Sequence, residues 1–446
     1  MGSSRWAAWL VLTMACNSAK QPAGDVPKSA PKPALEEPEA PPAEPTPGEG
    51  IEEVAEPPVP EQEDSARPHT SNLPPSLVLA ANQLALRMLR DLEPGRVNLV
   101  LAPITATLAL QMTLPGAREQ TARELEKALA IKPGQGLLLA KELARLATAP
   151  GAGNALHVAS GFYADEAMSV APAFARELRE GYHASSFSVP FSKSPESARE
   201  RINQDIATHT GGRLERLLGP GSIDSLTRAV LVSAVAMQAV WKDAFNPQNT
   251  HDGPFTPSGK PAVSVPFMER QADYALGMLG EDTTVLELPY AGGELSMVIV
   301  LPGGESMPKE AFDADVLGRT LERLEPAKAK LQLPRFTAKL DSVELIPMLK
   351  ELGIKALFSS QADLSGIAGK PGDLYVSHVL HGAFVDVNEK GTEASGATAV
   401  GIRTRALPAP VPVLTINRPF AFLIRQVSSG LVLFAGRIGD PSIKAQ

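Results

Sequence analysis

Two arginines and two histidines are the residues best placed by type and spacing to do chemistry. Arg403 and Arg405 lie in the run 389–419, EKGTEASGATAVGIRTRALPAPVPVLTINRP. Ahead of them Gly391, Thr392, Ala394, Ser395, Gly396, Ala397 and Thr398 are small and neutral, with Glu393 the one charge among them; behind them come Pro408, Pro410 and Pro412. A guanidinium binds carboxylate through two parallel hydrogen bonds, which is the chemistry that two arginines on an open loop offer. The run tolerates a strand but has too little apolar surface to hold itself folded, and alone it reads as a long exposed loop. It is either an idle linker or a segment whose freedom is its use.

His378 and His381 are spaced H-x-x-H in a predicted strand, where a separation of three puts the side chains on opposite faces. One metal ion is therefore a poor common partner, and His381 reads as a buried, hydrogen-bonded histidine. Histidines 157, 183, 209 and 251 have no nucleophile or carboxylate paired with them in sequence. The chain has no G-x-S-x-G elbow, H-E-x-x-H helix, P-loop or dinucleotide fingerprint, so no enzyme, metal or cofactor is expected.

The elements that must position these residues begin near residue 74. From Asn17 to Asn72 the chain holds 13 of its 41 prolines, with twelve acidic and four basic side chains, a net of −8 that equals the formal charge of the whole protein. Such a stretch buries too little to offset its ordering entropy and is expected to be a disordered Pro/Glu tether over 16–73. The remainder is near neutral without a basic patch, which gives nucleic-acid binding no support. Residues 1–15, with Arg5 ahead of the apolar run Trp6–Met14, have the layout of a signal peptide too short to span a bilayer. The one cysteine, Cys16, follows directly and resembles the acylated cysteine of bacterial lipoproteins, although Thr13 stands where leucine is usual. A plain secretory signal with an incidental cysteine is the alternative. With no second cysteine, residues 74–446 must be held by a core.

Helices are expected from Leu77 to Pro94, through Leu108 and Met112, over 118–129, 172–182, 198–210 and 343–352. The almost uninterrupted apolar run 229–241, ending at Trp241, reads as a strand covered on both faces, with Trp241 a core residue. Further strands are expected at 98–102, near 156–162, and at 285–289, 295–301, 331–336, 379–388, 411–416, 420–426 and 431–437. Helices in front, strands behind, and no repeat imply a single α+β domain.

Several motifs in order then identify the chain as a member of the serpins. NEKGTEASGAT (388–398) resembles the proximal hinge of their reactive-centre loop, and NRPFAFLIRQVSSGLVLFAGRIGDP (417–441) their C-terminal segment. NLVLAPITATLAL, LPGAREQT, LVSAVAMQAVWKDAF, LELPY, LPRF and ADLSGI are similar to family motifs across 77–441. The resemblance implies three β-sheets, eight or nine helices and an exposed loop. It also implies a monomeric suicide substrate: a serine protease attacks the loop, forms an acyl-enzyme, and is trapped when the loop inserts as a central strand.

On that footing Thr392, Ala394, Gly396 and Thr398 would face inward, all small enough to enter a sheet, with Glu393, Ser395 and Ala397 outward. Counting from Glu389 puts the reactive bond at Arg405–Ala406, with Arg403 the alternative, and points to a trypsin-like protease. The resemblance pairs Arg335 with Glu389 and assigns sheet-opening control to Asn98, Ser233, His381 and Trp241; Ser233, Ala102 and Thr105 depart from the usual residues there. The implied setting is a lipid-anchored inhibitor in a bacterial envelope, or else an extracellular one. The alternative is a non-inhibitory member that is cleaved as a substrate or acts as a binding or chaperone-like module.

Overall fold

A computed structural model describes residues 70–92, 94–132, 134–148, 154–304, 306–392 and 411–443. The expected signal segment, Cys16 and nearly all of the tether lie outside these residues, as do the loop positions from Glu393 through Thr398, Arg403, Arg405 and Ala406.

Among the described residues there are eight α-helices, six of them before residue 210, and two hydrogen-bonded sheets. Pro103–Gln111 is buried on every side, as its sequence PITATLALQ allows, because no position carries a charge and Pro103 occupies the first turn where its missing N–H is harmless. Gln135–Thr148 and Pro195–His209 are amphipathic and lie against the six-stranded sheet.

The six-stranded sheet runs in the order Phe336–Glu344, His378–Asn388, Gly391–Thr392, Ala229–Val240, Ala155–Asp165, Ser185–Val189. Ala229–Val240 is buried at all positions but Gln238 and Val240, as its apolar run predicts. The second sheet has nine strands, in which Val432–Ile438, Phe420–Gln426 and Leu295–Leu301 are successive neighbours. Its long strand Val263–Leu279 serves His251–Phe255 at one end and Thr283–Pro289 at the other, so the second and third of the three expected sheets are joined in one continuous ladder. Phe336 joins the layers, with its ring 5.6 Å from Phe420 and 5.4 Å from Phe422.

The expected helix over 343–352 is partly wrong. Phe336–Glu344 is a strand, and the helix is confined to Ile346–Glu351. Phe336, Ala338 and Leu340 alternate inward with period two, and after a shift of register beyond Leu340 the pairing of Val343 with His381 and of Glu344 with Leu380 carries the strand to Glu344. The expected strand 331–336 likewise divides at Arg335, where Glu325–Pro334 ends and the chain changes sheet.

Candidate functional site at the seam of the six-stranded sheet

The strands Ala229–Val240 and His378–Asn388 lie parallel and are paired from His378↔Val230 to Phe384↔Ala236, seven rows in all. Above Phe384 they part. Gly391–Thr392 fills the gap antiparallel to both, with Thr392 opposite Val387 and Ala239, and Gly391 opposite Asn388 and Val240. The start of the small-residue run is thus a two-residue strand already seated between its neighbours.

Each seated residue has a physical reason. Thr392 is fully buried, and its hydroxyl lies 2.7 Å from that of Tyr290, itself fully buried. Gly391 has φ +149, and a Cβ there would stand 2.0 Å from the Ala239 carbonyl oxygen, so only glycine fits without moving the strand. Trp241 does more than fill core. Its backbone N–H donates to the Lys390 carbonyl at 2.8 Å and its indole N–H to that of Asn388 at 3.0 Å, while its ring stacks on Tyr290 at 4.6 Å. Tyr290 and Phe245, whose backbone N–H donates to the Glu389 carbonyl, did not stand out in the sequence, because neither is near the hinge along the chain.

Arg335 and Glu389 are in contact, through Nε at 2.7 Å and through a second contact from the same guanidinium. On the carboxylate side the pair is sheltered: Glu389 is buried and also accepts from the Thr250 hydroxyl. Burial works against its charged form, but the Arg335 guanidinium and the Thr250 hydroxyl outweigh this and hold its pKa below the ordinary value.

Deeper in the seam a polar cluster crosses the seven closed rows. His381 Nε2 accepts from the Ala102 backbone N–H at 3.0 Å, which leaves the proton on Nδ1 facing the Ser233 carbonyl at 3.0 Å. The Ser233 hydroxyl donates to Thr105 at 2.7 Å, and Thr105 in turn donates to the Ala102 carbonyl. The helix Pro103–Gln111 is therefore tied to both strands by small hydroxyls and one imidazole. Asn98 does not belong to this cluster. It binds the backbone of Gly439 and Asp440 at the edge of the other sheet, because it begins the strand Asn98–Leu101 four residues before the chain reaches the seam. His378 faces away from His381 and pairs with Glu344 at 2.9 Å.

Burial pushes the pKa of His381 down to about 4, only partly opposed by its bond to the Ser233 carbonyl. The unfolded chain takes up this proton near the ordinary histidine value of about 6.5, the folded one near 4. Stability is therefore full above about pH 6.5 and falls with pH between those values, by up to about 3 kcal/mol. Urea denaturation from pH 7 to 4 should show this slope and should show it reduced in His381→Gln; an unchanged slope in the variant would refute the assignment.

A family model described as "Serpin (serine protease inhibitor)" matches residues 79–441. Leukocyte elastase inhibitor of Bos taurus is 35% identical over 356 residues, 77% of this chain and 93% of that protein. Antithrombin-III of Mus musculus is 31% identical over 367 residues, 80% of this chain and 79% of that one. The crystal structure of Serpin48 from the insect Tenebrio molitor matches with a TM-score of 0.72 at 28% identity, over 82% of this chain and 97% of its own.

Proposed function

This chain belongs to the serpin family, and from that premise we propose that it inhibits trypsin-like serine proteases as a suicide substrate cleaved after Arg405. The observation that carries the reading is the seated pair Gly391–Thr392, in register with both neighbours at the open end of the seam. Continuing that register sets residues 395–401 opposite both 378–384 and 230–236, the seven rows now paired with each other. An entering loop thus exchanges one set of ladder bonds for two. The inward positions, continuing from Thr392, are Ala394, Gly396 and Thr398, none of which overpacks a closed sheet.

The protease serine attacks the Arg405 carbonyl, an ester forms, and the amine of Ala406 leaves with its proton. The freed arm then enters the seam, carrying the ester with it. Arg405 is thirteen residues beyond Thr392, so full entry as a strand carries the bound protease to about 45 Å from Thr392 along the sheet. Inhibition is a race between this entry and hydrolysis of the ester. Mixing the protein with trypsin tests the reading: a covalent complex that survives denaturing electrophoresis is expected. Complete cleavage without a complex would make the chain a substrate and not an inhibitor.

The same proposal includes an N-terminal lipid on Cys16, with the Pro/Glu tether holding the inhibitor away from the membrane of a bacterial envelope. Cys16→Ala should move the protein from the membrane to the soluble fraction; continued membrane fractionation would refute the anchor.

A further inference from the structure

Three segments distant from one another in sequence border a cleft of about 530 Å³. They are the turn after the helix Pro75–Leu92, the turn between His251–Phe255 and Val263–Leu279, and the end of Val432–Ile438. Each contributes one cation, Arg96, Lys260 and Arg437, and among the described residues no carboxylate lines the space. Pro94, Val97 and Pro257 supply its apolar surface, and the lining holds no aromatic ring. Because positions 96, 260 and 437 are so far apart along the chain, no basic run marks them in the sequence.

Each cation stands on fixed backbone. Arg96 Nη1 donates to the Leu92 carbonyl at 2.7 Å, which holds the guanidinium at the end of the helix through one of its five N–H groups. Arg437 belongs to the strand between Asn98–Leu101 and Phe420–Gln426, opposite Leu99 and Ala421. Lys260 closes a tight turn: its backbone N–H donates to the Pro257 carbonyl at 3.2 Å, with Gly259 at φ +66. The Gly439 N–H donates to the Val97 carbonyl at 2.9 Å and so ties the first segment to the third. Asp440, next in sequence, is buried, and its carboxylate accepts from the backbone and the hydroxyl of Ser442. Like charges brought together repel, and a concave surface lined by one sign concentrates its counter-ion.

We propose that this cleft binds a soluble phosphate monoester with a small, non-aromatic organic part, of the size of a sugar phosphate. Donors reach the space from three walls. A tetrahedral phosphate offers oxygens in as many directions, whereas a carboxylate offers two in one plane. The volume falls within the range of small-molecule pockets, so the organic part has room beside Pro94, Val97 and Pro257. A nucleobase would find no ring to stack on. None of these residues belongs to the loop, its hinge or the polar cluster of the seam.

Calorimetric titration of the full chain with glucose 6-phosphate at fixed ionic strength tests this. Saturable one-to-one binding is expected, with a Kd of about 0.1–1 mM. Gluconate, which carries a carboxylate in place of the phosphate, should bind at least about tenfold more weakly. Lys260 is exposed on its turn, so Lys260→Glu should keep the thermal midpoint and weaken binding at least about tenfold. Lys309→Glu makes the same change of net charge at an exposed position outside the cleft and should bind as wild type. No saturation by about 10 mM, equal binding of gluconate, or equal loss in the two charge reversals would each overturn the proposal. Cosedimentation with phosphatidic acid vesicles that Lys260→Glu abolishes would overturn the soluble ester in favour of a lipid headgroup.

Discussion

Thr392→Arg is expected to turn trypsin from a captured partner into a protease that cleaves the loop and leaves. Thr392 is fully buried in a slot one residue wide, bounded by Val387 and Ala239, with its hydroxyl on Tyr290. An arginine there must either force the two strands apart and bury a charge without a carboxylate partner, or stay outside and hold the arm back. The first route costs several kcal/mol, and about 3–4 kcal/mol added to the barrier slows insertion roughly 10²- to 10³-fold. Hydrolysis of the ester is untouched, so the race goes to cleavage. Titration of trypsin activity should show the number of inhibitor molecules consumed per protease rising at least about tenfold, while gels show loss of the covalent band and gain of the cleaved form. Thr392→Ser keeps the hydroxyl, loses only a methyl group and should behave nearly as wild type. Covalent complex at wild-type yield from Thr392→Arg would mean that the loop does not enter the sheet here.

How much of this was legible in the sequence depends on the range over which each signal acts. Ala229–Val240 announced itself because both of its faces are covered, and a run of apolar residues needs no partner to be recognised. The hinge was legible as composition: small residues with one charge cannot anchor a core, and Gly391 sits where the structure leaves no room for a Cβ. The stretch 336–352 was misjudged because its apolar residues satisfy a helical spacing near Val343 and an alternating one from Phe336, and only pairing with His378–Asn388 decides between them. Asn98 shows a different limit. A motif match placed it in the polar cluster, but its side chain is used by the Gly439–Asp440 turn, while the cluster is completed by the backbone N–H of Ala102, which no side-chain pattern can reveal. Tyr290, Thr250 and Phe245 reach the hinge from distant segments, and contacts of that kind have no local signal.

Replacing Arg405 with alanine should cost more than any other change in the loop. If Arg405 is the residue the protease reads, Arg405→Ala removes the guanidinium that pairs with the carboxylate at the base of a trypsin-like pocket. Loss of one partner from a desolvated charge pair costs about 2–5 kcal/mol, so association with trypsin should slow by about 10²- to 10³-fold or more. Arg403→Ala, two residues nearer the hinge, should leave the rate within a few-fold of wild type, because alternate side chains of an extended arm point to the same side but only one occupies the pocket. The length of the arm gives a second reading of the same question. Counted from the seated Thr392, a cut after Arg405 leaves thirteen residues to enter the seam and a cut after Arg403 leaves eleven. Either number exceeds the nine needed to reach Gly401 opposite His378, so the sheet alone does not choose between them. The released fragment does: its N-terminal residue should be Ala406. A fragment beginning at Thr404, together with undiminished complex formation by Arg405→Ala, would move the reactive bond to Arg403 and shorten the arm that draws the protease down the sheet.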